Sequence, residues 1–232
     1  MKLQREESFI WIQWRLINME IKVVRQILEW NEDCHKEVQK TLNDNNVKMI
    51  NIMGSPGAGK TTFILNLINE LKKKDVRVAV IEGDIEGTID AKRIQDEGIP
   101  VVQLNTQGAC HIEAMSIKNI INKFDLNELD LIIVENIGNL VCPAEFEIGE
   151  VLKVALLSIP EGDDKVVKYP LMFSKADALV LTKYDMIKYF NFNEDEVRNQ
   201  TLLRNPNSQI FKINSLEKGE AKAFVEWLVR KI

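Results

Sequence analysis

Val47-Lys48-Met49-Ile50-Asn51-Ile52-Met53 runs directly into Gly54-Ser55-Pro56-Gly57-Ala58-Gly59-Lys60-Thr61, and Thr62-Phe63-Ile64-Leu65-Asn66-Leu67-Ile68 follows. The middle segment is a complete GxxxxGK[ST] phosphate-binding loop, with a strand to deliver it and a helix N-terminus to receive phosphates. Gly54, Ser55, Gly57, Ala58 and Gly59 let backbone N–H groups turn inward around a β-phosphate. Lys60 reaches the β/γ oxygens, Thr61 offers a hydroxyl to Mg²⁺, and Thr62 opens the helix. The stretch predicts a nucleoside triphosphate site.

Outward from that loop, short apolar runs alternate with helical patterns. Val76–Ile81, Pro100–Leu104, Leu131–Val134, Val154–Ser158, Ala178–Leu181 and Gln209–Ile213 read as strands, and 89–97, 111–124, 193–204 and 218–231 as helices. Near-continuous apolar strands alternating with helices predict an α/β fold, a doubly wound and mostly parallel sheet covered on both faces. Upstream, Ile21, Val24, Ile27, Leu28, Val38 and Leu42 recur at helical spacing until Asn43-Asp44-Asn45-Asn46 breaks it. Residues 1–46 are therefore read as an N-terminal extension and helix, and 47–232 as the nucleotide-binding domain.

Bulk composition narrows the function. The chain of 232 residues carries a formal net charge of −5, which disfavours nucleic-acid and membrane-surface partners. Three cysteines form no even disulfide framework. Neither a transmembrane run nor a signal peptide is evident, so a cytoplasmic protein is expected.

A base-reading element belongs at the carboxyl end of a later strand. Leu179-Val180-Leu181 leads into Thr182-Lys183-Tyr184-Asp185, which resembles the guanine motif NKxD with Thr for Asn, a form found in signal-recognition-particle GTPases. Lys183 and Asp185 are the candidate guanine-site residues, and the Asp185 carboxylate would accept from the guanine N1–H and 2-amino groups. Adenine offers neither donor. For catalysis, Asp84 in Glu82-Gly83-Asp84 is the first choice to orient Mg²⁺ or the attacking water, and Glu135 the second. Gly138 can bring its N–H to the γ-phosphate as a switch.

Gly108-Ala109-Cys110-His111, expected to begin a helix, and Cys142-Pro143 supply soft donors suited to Zn²⁺ or Ni²⁺. Cys34-His35 lies on the N-terminal helix, where neighbouring side chains diverge by about 100°. Glu161-Gly162-Asp163-Asp164-Lys165-Val166-Val167-Lys168-Tyr169-Pro170 reads as a charged, solvated loop.

The ordered set GSPGAGKTT, EGD, GACH, ENIGNLVCP and EGDDKVVKYP resembles the HypB-type hydrogenase maturation GTPases over about residues 20–232. The resemblance implies a phosphate-loop GTPase of the dimerising signal-recognition/MinD-like class. It implies that Cys110, His111 and Cys142 bind Ni²⁺ or Zn²⁺ near a homodimer interface. It places Lys165 or Lys168 near nucleotide or dimer contacts, and Ser215 beside the guanine edge. The partners it implies are a nickel-delivery accessory protein and the hydrogenase large-subunit precursor. The chain departs from some relatives in lacking a Cys-rich or His-rich N-terminal nickel tract. The expectation is a GTP-hydrolysing metallochaperone. Urease-type nickel insertion, a signalling GTPase without a metal role, and a phosphate-loop kinase stay open as alternatives.

Overall fold

The computed structural model describes residues 29–84, 88–106, 108–214, 217 and 219–232. Among the described residues seven strands form one sheet: β1 (Lys48–Gly54), β2 (Val78–Asp84), β3 (Val101–Asn105), β4 (Leu131–Glu135), β5 (Leu152–Ser158), β6 (Ala178–Thr182) and β7 (Gln209–Ile213). Their order is β3-β2-β4-β1-β5-β6-β7, and every pairing is parallel. The chain builds β2, β3 and β4 on one side of β1, then β5 to β7 on the other. The loop after β1 therefore sits where the winding reverses, the crevice in which such sheets hold ligands.

The strands are apolar at almost every position because both faces are covered. On one face Ile50, Ile52, Val80, Ile133 and Val154 meet α2 (Lys60–Lys72), α3 (Ile89–Asp96) and α9 (Lys222–Val229), through residues such as Phe63, Ile94 and Phe224. On the other face Met49, Ile81, Ile132 and Val134 meet α1 (residues 29–44) and α4 (Ala114–Ile121), through Val38, Leu42 and Ile117. Beyond them Ala155, Leu157 and Leu179 pack against α5 (Cys142–Glu145), α6 (Lys165–Lys168), α7 (Pro170–Lys175) and α8 (Glu194–Arg204). Among the described residues no helix is long and apolar enough to cross a membrane.

One local expectation is corrected. Cys110 and His111 do not begin a helix; they lie in a bend, and α4 starts at Ala114. The segment before it is spent on side-chain and backbone contacts that a helix would forbid, described below.

Candidate nucleotide and metal site

The phosphate loop is held from several sides. Gly59 takes the left-handed conformation (φ 89°, ψ 25°) that caps α2, and Gly57 shares it at φ 78°. At Gly54 the packing itself demands glycine, since a Cβ there would lie 2.9 Å from the Leu156 carbonyl oxygen. Lys60 Nζ donates to the Ser55 and Gly54 carbonyls at 3.1 and 3.5 Å. The Thr182 hydroxyl donates to the Ala58 carbonyl at 2.6 Å, and Lys183 Nζ to that of Gly57 at 2.8 Å. Thr182 and Lys183 thus tie the segment after β6 to the loop. Asp185 is exposed just past the end of β6, within the 3₁₀ turn Tyr184–Tyr189. Thr62 is half-buried in the first turn of α2, and Ser215 falls outside the described residues.

The charged segment after β5 is less detached than a solvated loop would be. The Ser55 hydroxyl donates to Glu161 Oε1, while Glu161 Oε2 accepts from the Ser158 N–H and hydroxyl at 2.9 and 2.6 Å. Glu161 therefore braces the phosphate loop from the end of β5. Lys165 and Lys168 both pair with Asp164.

Beside the loop lies a cavity of about 280 Å³ lined by Lys60, Glu82, Asp84, Asp90, Glu135 and Gly138. Register explains the cluster: Glu82 and Glu135 are cross-strand partners at the carboxyl ends of β2 and β4. The Thr61 hydroxyl donates to Glu135 Oε1 at 2.9 Å. Among the described residues, Glu135 Oε2 and Glu82 Oε2 are buried with no hydrogen-bond partner. Buried oxygens of this kind are costly unless a cation or proton meets them. Burial pushes Glu82 up to about 8, reinforced by the negative charges of Glu135, Asp84 and Asp90. Burial pushes Glu135 up to about 7, opposed by Lys60 and the Thr61 hydrogen bond. Burial also lowers Lys60, while Glu135, Glu161, Asp90 and Glu82 act against the loss of its charge. A Mg²⁺ ion fits this oxygen set, which is hard, anionic and adjacent to a Thr hydroxyl.

The raised carboxylates predict a pH effect. Folded Glu82 holds its proton from its ordinary 4.5 up to about 8, whereas the unfolded chain releases it early. Folding then binds more protons than unfolding, so its contribution is complete below about 4.5 and lost as pH rises through about 8. In nucleotide-free protein the Tm advantage of wild type over Glu82→Gln should shrink between about pH 5 and about pH 9. A constant difference across that range would refute the assignment.

In the segments that follow β3 and β4 the structure brings Cys110, His111 and Cys142 together, their candidate ligand atoms all within 4.8 Å of one another. Cys110 Sγ lies 2.9 Å from Cys142 Sγ and 3.6 Å from His111 Nδ1. The His111 ring stacks on Phe146 (centroids 4.0 Å apart), which fixes its plane. The Cys142 thiol is pushed up to about 11 by its hydrogen bond to Cys110, with burial and the Cys110 charge adding to the effect. A metal held by both sulfurs would displace their protons, and soft S and N donors suit Ni²⁺ or Zn²⁺. Cys34 and His35 take no part: both are buried, and His35 Nε2 faces Glu147 at 3.6 Å.

The phosphate loop and the Cys110–His111–Cys142 cluster share a wall. Asn139 N–H donates to the Gly54 carbonyl at 3.1 Å, and its side-chain oxygen accepts from the N–H groups of Val141 and Cys142 at 2.7 and 3.3 Å. A Cβ on Gly138 would lie 2.8 Å from the backbone nitrogen of Pro56, so only glycine permits this approach. Asn136 Oδ1 accepts from Ile112 N–H at 3.2 Å, joining the arm that carries Cys110 and His111 to the end of β4. Glu82, Asp90, Glu161, Asn136 and Asn139 were not singled out in the sequence. Only the paired placement of EGD and ENIG at strand ends hinted at Glu82 and Asn136.

Residues 48–212 match the family model described as CobW/HypB/UreG, nucleotide-binding domain. The chain is 37% identical over 235 residues to the hydrogenase/urease maturation factor HypB of Helicobacter pylori strain J99, spanning 100% of this chain and 96% of the relative. It is 36% identical over 216 residues to the hydrogenase maturation factor HypB of Escherichia coli K12, spanning 93% and 73%. The crystal structure of HypB from Helicobacter pylori in complex with nickel superposes at TM-score 0.81 and 36% identity, covering 87% of this chain and 94% of that one. The signal recognition particle receptor FtsY of Elizabethkingia anophelis, at TM-score 0.50 and 17% identity, shares the fold. By sequence over its whole length and by structure, this chain belongs to the CobW/HypB/UreG family, as a HypB protein.

Proposed function

We propose that this protein is a GTP-hydrolysing metallochaperone for nickel insertion into nickel–iron hydrogenase, in which GTP binding controls dimerisation and metal release. The observation that carries the reading is Asn139, which contacts the phosphate loop through its backbone and Cys142 through its side chain. A nucleotide-dependent shift of residues 136–142 then moves one metal ligand relative to the other two.

On this reading Lys60 and the loop N–H groups hold the β/γ-phosphates, and Gly138 senses the γ-phosphate through its backbone. Thr61 and Asp84 would hold Mg²⁺, with Glu135 orienting water through a carboxylate already aligned by Thr61. Mg²⁺ supplies charge neutralisation at the β- and γ-oxygens. Lys183 and Asp185 read guanine, with Ser215 supporting its edge. Cys110, His111 and Cys142 carry Ni²⁺ or Zn²⁺; three donors leave a coordination position for a second subunit or a receiving protein. A nickel-delivery protein and the hydrogenase large-subunit precursor are the expected partners. Urease is a second recipient, favoured because the Helicobacter pylori relative is named a hydrogenase/urease factor.

The test is Ni²⁺ titration of the apo, GDP-bound and GTP-analogue-bound protein while oligomeric state is followed. Different Ni²⁺ affinities and a nucleotide-dependent dimer are expected, since linkage makes the coupling reciprocal. Identical affinities and an unchanged oligomer would sink the reading.

Guanine reading has its own test. In Asp185→Asn the amide presents a donor where guanine also presents one. GTP affinity should fall by about 10²-fold, in line with the roughly 1–3 kcal/mol lost per stranded polar group. Xanthosine triphosphate, whose C2 carbonyl accepts that donor, should recover most of the loss. Equal loss for both nucleotides would remove Asp185 from the base site.

A further inference from the structure

The metal ligands come from two arms 32 residues apart in sequence, one ending in α4 and one running through α5. Their spacing depends on whatever ties those arms together. One buried side chain outside both arms touches each of them. Asn31 of α1 is 9% exposed. Its Oδ1 accepts from the N–H of Ala114 at 3.0 Å, at the start of α4 just beyond His111. Its Nδ2 donates to the Glu147 carbonyl at 2.8 Å, just beyond α5 and Cys142.

We propose that Asn31 is a positioning residue for the metal, and that α1 is the bracket setting the distance between the Cys110–His111 arm and the Cys142 arm. This rests on the reading of those three residues as the metal ligands. The rest of α1 repeats the pattern of one contact to each arm. Glu37 pairs with Lys118 of α4. His35 Nε2 faces Glu147 at 3.6 Å, and Val38 packs so tightly on the second arm that a Cβ at Gly149 would lie 2.4 Å from its Cγ1. Burial of Val38 and Leu42 accounts for the helix adhering to the sheet. It does not account for a buried amide whose donor and acceptor are divided between the two ligand-bearing segments.

Outer groups that orient metal ligands typically govern affinity by about 10–100-fold. Ni²⁺ titration of the full chain, read by the thiolate-to-nickel absorption band, should show N31A weakened within that range with a shifted band. Affinity for a GTP analogue should stay within about twofold, because Asn31 does not contact the phosphate loop. N31D retains the acceptor for Ala114 N–H but sets a carboxylate oxygen against the Glu147 carbonyl, so the tie to the Cys142 arm is lost and weakened Ni²⁺ binding is expected. It also decides the matter if N31A fails to fold by circular dichroism. Wild-type Ni²⁺ affinity and band in a folded N31A or N31D would overturn the proposal. C142A run in parallel separates the two readings: if it binds Ni²⁺ as wild type does, the ligand assignment fails and this inference falls with it.

Discussion

Lys60→Ala should lower GTP hydrolysis by at least about 10²–10³-fold, the cost of removing one preorganised group that stabilises transition-state charge. The side chain is buried and poised over the loop, held by the carbonyls of Ser55 and Gly54. Burial lowers its pKa, and the neighbouring Glu135, Glu161, Asp90 and Glu82 oppose that shift. Its removal takes the ammonium away from an acidic cavity to which β/γ-phosphates would add further negative charge. GTP affinity should therefore fall together with turnover. Lys60→Met separates the two causes, since it restores the volume without the charge. Single-turnover hydrolysis and nucleotide titration provide the measurements. Wild-type turnover in Lys60→Met would exclude a role for the ammonium in charge stabilisation.

Cys142→Ala should weaken Ni²⁺ binding by more than the about 10–100-fold that loss of an outer hydrogen-bonding partner costs, since a ligand itself is removed. The Cys110 thiol donates to Cys142 Sγ across 2.9 Å, and metal binding through both sulfurs must expel their protons. With the Cys142 thiol raised to about 11, loading releases protons at neutral pH, and wild-type Ni²⁺ affinity should climb as pH rises. In Cys142→Ala that climb should be shallower, because one fewer thiol is deprotonated. Nucleotide affinity should persist in the variant, since Asn139 contacts Gly54 through its backbone and not through Cys142. Isothermal titration in two buffers of different ionisation enthalpy counts the protons. Unchanged stoichiometry and proton release would leave the cysteines as mere packing, and favour a signalling GTPase.

Local chemistry carried much of this into the sequence. The phosphate loop was legible because glycine spacing, Lys60 and Thr61 lie within one contiguous turn whose flanking strand and helix are each written in neighbouring residues. The parallel sheet was legible because burial on both faces leaves strands almost wholly apolar. Helix starts were less so: α4 begins at Ala114, not at Cys110, because the intervening residues bond to Asn136 and face Cys142. Those partners lie more than twenty residues away, beyond the reach of any periodicity.

The sequence alone thus determined a triphosphate cradle on a doubly wound sheet and, through its motifs, the three soft donors. Tertiary structure decided what surrounds them. Strand register set Glu82 beside Glu135 at the buried strand ends, where burial raised both carboxyls and the Glu135 charge raised Glu82 further. Close packing of Gly138 on Pro56 joined the segment carrying Cys142 to the phosphate loop, and Asn31 tied α1 to both Ala114 and Glu147. Such features depend on distances between segments remote in the chain. Those distances are fixed only when the sheet closes and its faces are covered, and residue identity by itself does not encode them.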